Sequence, residues 1–180
     1  MEVLPASLPG VLVFRPTPHR DDRGLFTRTF ELALAREHGL PEFLQDSQSR
    51  SRRGTVRGLH GRSGAGEAKL VRCARGAVHD VLVDTRADSP TFGQHEAFRL
   101  DDETFDHLYV PPGLLHGFQA LAEPSDVCYR ISRAHDPVED VAVRYDDADL
   151  AIEWPLPVAA ISQRDLAAGS WSELRHGLTS

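Results

Sequence analysis

The sequence Pro111-Pro112-Gly113-Leu114-Leu115-His116-Gly117-Phe118 is the most informative starting point for the architecture. Its prolines and glycine shape a tight turn, and the apolar residues that follow lead into a strand that carries a histidine. Short apolar runs separated by turn residues recur on both sides of this segment. That pattern is typical of an all-β sandwich or barrel.

The predicted strands are short and closely spaced. Between Lys69 and Asp84, two apolar runs flank Ala74-Arg75-Gly76-Ala77, which predicts a β-hairpin with Gly76 at positive φ. The strands are predicted at Val11–Phe14, Val56–Leu59, Lys69–Ala74, Val78–Asp84, Glu96–Leu100, His107–Val110, Gly117–Leu121 and Val127–Ser132.

Two peripheral helices are expected. The first covers about Glu31–His38 and ends at Gly39, since glycine readily takes the left-handed cap conformation. The second begins near Ser162, where Ser162 and Asp165 have the spacing of a capping box, and runs toward Leu174.

Composition indicates one domain over residues 1–180 and a cytoplasmic location. The length of 180 residues suits one domain with a real core, and no apolar run approaches the length of a membrane span. The amino terminus lacks the basic and apolar regions of a secretory signal. The two cysteines, Cys73 and Cys128, lie in apolar strand-like segments, where a free thiol is usually a small buried hydrophobe.

The net charge of −7 argues against a nucleic-acid-binding protein, which needs a clustered positive surface. A single anionic ligand is compatible with the local basic clusters, because guanidinium groups bind diphosphates well. Arg52 and Arg53 are more simply interpreted as part of a solvated face. The cluster comprises Arg50, Arg52, Arg53, Arg57, Lys69 and Arg72.

The segment Pro111–Phe118 resembles the second motif of the cupins, which implies a cupin-type double-stranded β-helix, or jelly roll, with an open mouth for a small ligand. In metal-binding cupins the motif histidine joins two others and a carboxylate. Here the first motif offers only His60, with Arg62 two residues later and Glu67 as the lone nearby carboxylate. Transition metals need three or four converging donors, so we expect no metal ion.

Nearly the whole chain resembles the dTDP-4-dehydrorhamnose 3,5-epimerases. No single motif is specific, but their order and spacing together are. The resemblance rests on Asp22–Phe26, Phe43–Asp46, Arg57–His60, Lys69–Cys73, Asp80–Arg86, Ser89–Gly93, Pro111–Phe118, Cys128–Arg130, Ile152–Pro155 and Ser162–Asp165.

This resemblance implies four catalytic residues and no organic cofactor. His60 matches the family's base, Asp165 the carboxylate that orients it, and Tyr129 the acid on the other face of the sugar. Lys69 matches the cation beside the keto oxygen. These residue types suit epimerisation, because moving a proton beside a ketone needs a base, an acid and a positive group that stabilises the enolate.

The resemblance also implies substrate-binding residues. Arg23, Gln45 and Arg57 sit where the family contacts the nucleotide and its phosphates, and His116 lies beside the pocket. From the residues alone, each assignment has a structural alternative: a satisfied core histidine, a packed tyrosine, or an aspartate that only caps a helix.

The chain departs from the family pattern around these residues. The family usually has an aromatic residue and a glutamine where Gly61 and Arg62 stand, and a glutamate where Arg28 stands. A tyrosine pair is commonly found where Ala134 and His135 lie, and we assign His135 to the substrate site. Because the residues that match the four catalytic positions are all present, we interpret these changes as altered ligand contacts in the pocket.

The sequence therefore predicts an isomerase that acts on a dTDP-linked 4-keto-6-deoxy sugar and inverts C3, C5 or both. Two alternatives stay open: a sugar-nucleotide 3,4-ketoisomerase of the same fold, and a non-catalytic nucleotide-sugar-binding cupin. The family further implies a homodimer with exchanged amino-terminal strands. Val11–Phe14 could serve such an exchange or the chain's own sheet.

Overall fold

The computed structural model describes residues 1–179, which form short strands and three helices. The helices are Leu32–Glu37 (α1), Gln163–Leu166 (α2) and Trp171–Thr179 (α3). The strands are Glu2–Pro5 (β1), Leu12–Arg15 (β2), His19–Asp21 (β3), Gly24–Phe26 (β4), Gln45–Ser51 (β5), Val56–Arg62 (β6), Lys69–Arg75 (β7), Ala77–Asp84 (β8), His95–Asp101 (β9), His107–Val110 (β10), Leu114–Ala120 (β11), Ser125–Ile131 (β12) and Asp140–Ala142 (β13).

Two antiparallel sheets form the body of the protein. The first has the strand order β1-β2-β10-β7-β12-β5, and the second has the order β13-β6-β11-β8-β9. Strands β3 and β4 pair only with each other. The observed all-β architecture with a few short helices is the one that the sequence predicts, and each of the eight predicted strands overlaps an observed one.

The space between the sheets is apolar at one end and open at the other. Along β7, Val71 and Cys73 join the core, whereas Lys69, two residues earlier on the same face, lines a cavity. Along β12, Val127 is core and Tyr129 lines the cavity. Because side chains on a strand alternate between faces, one inward-facing row runs from the packed core into the open site.

The predicted hairpin between Lys69 and Asp84 is wrong in its pairing. Gly76 does have positive φ, at 77°, but β7 pairs with β10 and β12 while β8 pairs with β9 and β11. The turn therefore carries the chain from one sheet to the other. Local turn chemistry predicts a reversal, but it does not state which neighbours the two strands acquire.

The second predicted helix is also wrong, because it is two helices. Ser162 begins α2 as expected, and its Oγ accepts a hydrogen bond from the Asp165 amide at 3.0 Å. The helix ends at Leu166, and α3 starts afresh at Trp171. The break is stabilised by Asp147, whose Oδ2 accepts a hydrogen bond from the Trp171 amide at 2.9 Å.

Strand β5 has no counterpart in the sequence prediction, because Gln45–Ser51 is polar throughout. It completes the first sheet by pairing with β12 over seven residues. The first predicted helix corresponds to α1, and Gly39 follows it with φ of 70°. None of the helices in residues 1–179 has the length and hydropathy needed to cross a bilayer.

Candidate active site

A cavity of about 650 Å³ opens between the two sheets at their polar end. Both sheets and the segment around α2 contribute to it, so side chains from distant parts of the sequence face one another. Its lining includes every site residue expected from the sequence apart from Arg23, namely Gln45, Arg57, His60, Lys69, His116, Tyr129, His135 and Asp165.

His60 and Asp165 form a close pair at the wall of this cavity. His60 lies on β6 and its Nε2 is 2.7 Å from Asp165 Oδ1. The Asp165 side chain is 5% exposed, and its Oδ2 also accepts a hydrogen bond from the Gly58 amide at 3.4 Å. The Ser162 cap uses only the backbone amide of Asp165. The Asp165 side chain therefore contacts His60 and takes no part in the helix cap.

The environment keeps His60 in its neutral form. Burial is the largest effect and lowers the pKa of His60, and the positive charges of Lys69 and Arg164 lower it further. The Asp165 carboxylate raises the pKa, but the net result lies below the usual value of 6.5. Because the carboxylate can only accept, Nε2 carries the proton and Nδ1 has the free lone pair. His60 is therefore able to accept a proton at neutral pH.

Glycine at position 58 allows strands β6 and β11 to approach closely. Gly58 has φ of 124°, and a Cβ built there would lie 2.5 Å from the Gly117 Cα. A side chain does not fit this space. The close approach brings the Gly58 amide to Asp165 and sets His60 directly opposite His116 in the strand register.

Tyr129 supplies a protonated hydroxyl from the opposite sheet. It lies on β12, and its Oη is 3.1 Å from the Ser49 Oγ on β5. Burial raises its pKa well above the usual value of 10, because the phenolate would lose its hydration. The phenol therefore remains a proton donor across the physiological range of pH.

A second histidine and aspartate pair lies beside Tyr129. The His116 Nε2 is 2.8 Å from Asp80 Oδ2, with both side chains almost fully buried. The His116 ring packs edge-on against the Tyr129 ring, with centroids 6.2 Å apart. The sequence analysis missed Asp80, although a carboxylate within the valine-rich strand β8 is a signal that a buried partner exists.

Further charged and polar side chains line the same cavity. The Arg57 Nε donates to Ser51 Oγ at 3.0 Å, and Gln45 Nε2 donates to Ser47 Oγ at 3.2 Å. Lys69 Nζ is 3.1 Å from Oε1 of Glu67, a second residue that the sequence analysis did not assign to the site.

Arg62 and His135 line the same cavity, and an Arg62 Nη donates to the His135 Nδ1 at 3.0 Å. Arg28 does not line it and pairs with Glu31 on the surface. Arg23 lies on the β3–β4 hairpin, where its 89% exposed side chain pairs with Asp21. Within one chain, Arg23 is therefore not brought to the other site residues.

The described part of the chain, residues 1–179, has no group of three or more histidine, cysteine, aspartate or glutamate side chains arranged to hold a metal ion. Two of the three histidines that line the cavity, His60 and His116, each face a carboxylate partner.

A histidine paired with a carboxylate and a tyrosine from the opposite sheet line one cavity, an arrangement that suits the class of isomerases that move a proton at carbon. Comparison with known proteins narrows this class. The family model described as dTDP-4-dehydrorhamnose 3,5-epimerase matches residues 5–173, and the chain belongs to this family.

Individual relatives agree with this assignment. The dTDP-4-dehydrorhamnose 3,5-epimerase of Methanothermobacter thermautotrophicus is 39% identical over 94% of this chain and 92% of its own length. The crystal structure of NovW, a 4-keto-6-deoxy sugar epimerase from the novobiocin cluster of Streptomyces spheroides, superposes with a TM-score of 0.94 at 38% identity, covering 99% of this chain and 92% of that one.

A third structure contains a ligand. The epimerase RmlC from Legionella pneumophila, in complex with dTDP-4-keto-L-rhamnose, has a TM-score of 0.90 at 34% identity and covers 96% of each chain. The shared architecture confirms the predicted jelly-roll fold class.

Proposed function

We propose that this protein epimerises a dTDP-linked 4-keto-6-deoxyhexose at C3, C5 or both by proton removal and return through an enolate. One observation carries the proposal: His60 and Tyr129 project from different sheets into one cavity. Epimerisation requires proton transfer on opposite faces of the same carbon, and this placement provides a group for each face.

The proton balance follows from the contacts. The C–H bond next to the C4 ketone breaks, its proton moves to Nδ1 of His60, and its electron pair forms the enolate with C4. The charge on the new imidazolium is stabilised by Asp165 at 2.7 Å. Tyr129 then donates its hydroxyl proton to the other face. Proton exchange with solvent returns His60 and Tyr129 to their starting forms.

Lys69 is the proposed stabiliser of the enolate oxygen. It lines the same cavity as His60, and its positive charge contributes to the lowered pKa of that histidine. A positive group already in place when charge develops lowers the barrier without reorganisation.

Arg57 and Gln45 are the proposed contacts to the nucleotide and its diphosphate. Both line the same cavity as His60 and Asp165. Arg57 is held by Ser51 Oγ and by the carbonyl of Arg50, which fixes a guanidinium group at the rim. A fixed guanidinium group suits bidentate binding of a phosphate. His116 and His135 complete the proposed substrate contacts.

We further propose a homodimer in which the β3–β4 hairpin packs against a second copy. All six residues of the two strands are exposed, among them Leu25 and the 68% exposed Phe26. Neighbouring exposed apolar side chains, here Leu25 and Phe26 on an otherwise polar hairpin, are a common feature of an interface. This arrangement would bring Arg23 to a nucleotide site that it does not reach in its own chain. The sequence-based predictions of a single domain, a cytoplasmic location and no nucleic-acid partner belong to the same proposal.

The test is proton NMR of the purified protein with a dTDP-4-keto-6-deoxyhexose in deuterated water. Deuterium should enter C3, C5 or both, and the coupling constants of the product identify the inverted centre. His60→Asn should abolish deuterium entry while leaving thymidine diphosphate binding within about threefold, because the substitution removes the base but keeps a small polar side chain that can still donate to Asp165. A folded, nucleotide-binding wild-type protein that incorporates no deuterium would refute the proposal, and a shifted ketone would identify the isomerase alternative.

A further inference from the structure

Arg62 has an unusual environment for an arginine beside an active site. It follows His60 by two residues on β6, so both side chains lie on the same face of the strand. Its side chain is only 5% exposed, and its Nε lies 2.7 Å from Oε2 of Glu67.

Glu67 connects Arg62 to Lys69. While Oε2 faces Arg62, Oε1 lies 3.1 Å from the Lys69 Nζ. The Glu67 side chain is 8% exposed and that of Lys69 is 13% exposed. Arg62, Glu67 and Lys69 therefore form a buried triad with two positive charges, one negative charge and a net charge of +1.

The other acidic groups nearby have arginine partners of their own. Glu139 Oε2 is 4.0 Å from an Nη of Arg62 but 2.9 Å from one of Arg133. Asp140 is paired with Arg164 at 2.7 Å. The His135 Nδ1 accepts a hydrogen bond from Arg62. Glu67 therefore stays the acidic group nearest to Arg62, at 2.7 Å, and it pairs at the same time with Lys69 at 3.1 Å.

We propose that Arg62 is a positioning residue that acts through Glu67 to keep one net positive charge at Lys69 during enolate formation. The inference rests on the proposed function of Lys69. Without Arg62, the carboxylate would face Lys69 alone and the buried pair would be neutral. A neutral pair attracts the developing enolate much less than a triad of net charge +1, because screening by water is weak at such low exposure.

Three variants test the charge balance in the deuterium assay. Arg62→Gln should lower kcat by about 10- to 100-fold with KM within about threefold, since the lost interaction strengthens in the transition state. The double variant Arg62→Gln with Glu67→Gln restores a net charge of +1 and should return kcat to within about threefold of wild type. Arg62→Lys, which keeps the charge but not the guanidinium geometry, should stay within about fivefold.

Arg99→Gln is the matched control. Arg99 pairs with Asp101 at 2.9 Å and does not line the cavity, so kcat should stay within about twofold. Thermal unfolding of every variant separates loss of fold from loss of activity.

A purely structural role gives the opposite pattern. Arg62 also donates to the carbonyls of Ala134 and Asp136 and so holds the cavity rim. If that were its function, the double variant would remain as slow as Arg62→Gln, and Arg62→Lys would be equally impaired. Either result would overturn the inference about Arg62. Deuterium exchange by the wild type would still support the proposed function. A folded wild type without deuterium exchange would instead refute the proposed function itself.

Discussion

Replacing Asp165 with asparagine separates the orienting role of this carboxylate from its structural role. In the protein, Asp165 Oδ1 is 2.7 Å from His60 Nε2 and its side chain is 5% exposed, so the charge is poorly screened. An asparagine amide can donate to Nε2, which moves the imidazole proton to Nδ1 and removes the lone pair that accepts the substrate proton. It also leaves the imidazolium without its counter-charge.

The two effects together predict a fall in kcat of about 10³-fold, equivalent to about 4 kcal/mol of barrier. The pH profile should change as well. Asp165 raises the pKa of His60 against the effect of burial, so its removal lowers that pKa further and moves the acid limb of the rate profile to lower pH. The assay is deuterium incorporation at C3 and C5 measured between about pH 4.5 and 9, a range that brackets the usual histidine pKa.

Folding should be little affected by Asp165→Asn, because the Ser162 cap uses the backbone amide of residue 165. Asp146→Asn, which changes an aspartate that is paired with Arg144 away from the cavity lining, is the control. A kcat within tenfold of wild type, with the acid limb unmoved, would contradict the assignment of Asp165 as the orienting group.

The remaining predictions concern stability. Gly58→Ala should destabilise the protein by about 3 kcal/mol and lower Tm by roughly 6–12 °C, because the alanine Cβ would lie 2.5 Å from the Gly117 Cα. The control is Gly24→Ala, which has a similar φ of 123° but nothing within 4 Å of the added Cβ, so its loss of stability should be clearly smaller. Equal losses of Tm in the two variants would refute the crowding argument. Burial acts to raise the pKa of Asp84, but hydrogen bonds from Arg86 and two neighbouring hydroxyls lower it from 3.8 to about 2. The ionised Asp84 side chain thus contributes about 2 kcal/mol to the free energy of unfolding above pH 3.8, and this contribution is lost as the pH falls through 2. In urea titrations, the difference in unfolding free energy between wild type and Asp84→Asn should therefore shrink by about half at pH 3.

Local sequence patterns predicted most of the strands and helices. The predictions were wrong where the outcome depended on contacts between residues that are distant in the sequence. Apolar runs identified eight strands, but β5 has no apolar run, because its alternate side chains face the polar cavity or solvent. Gly76 marks a real turn, yet its flanking strands belong to different sheets. The break between α2 and α3 depends on Asp147, which lies 24 residues from its partner Trp171.

The sequence by itself determined the residue types of the site, their order along the chain and the family resemblance, because each motif is local. Only the tertiary structure decided which of them meet. His60 contacts Asp165 across 105 positions, and His116 contacts Asp80 across 36. The Arg62–Glu67–Lys69 triad spans eight positions but depends on three side chains sharing one buried space. Such distances follow from how the two sheets pack, which strand-level patterns do not encode.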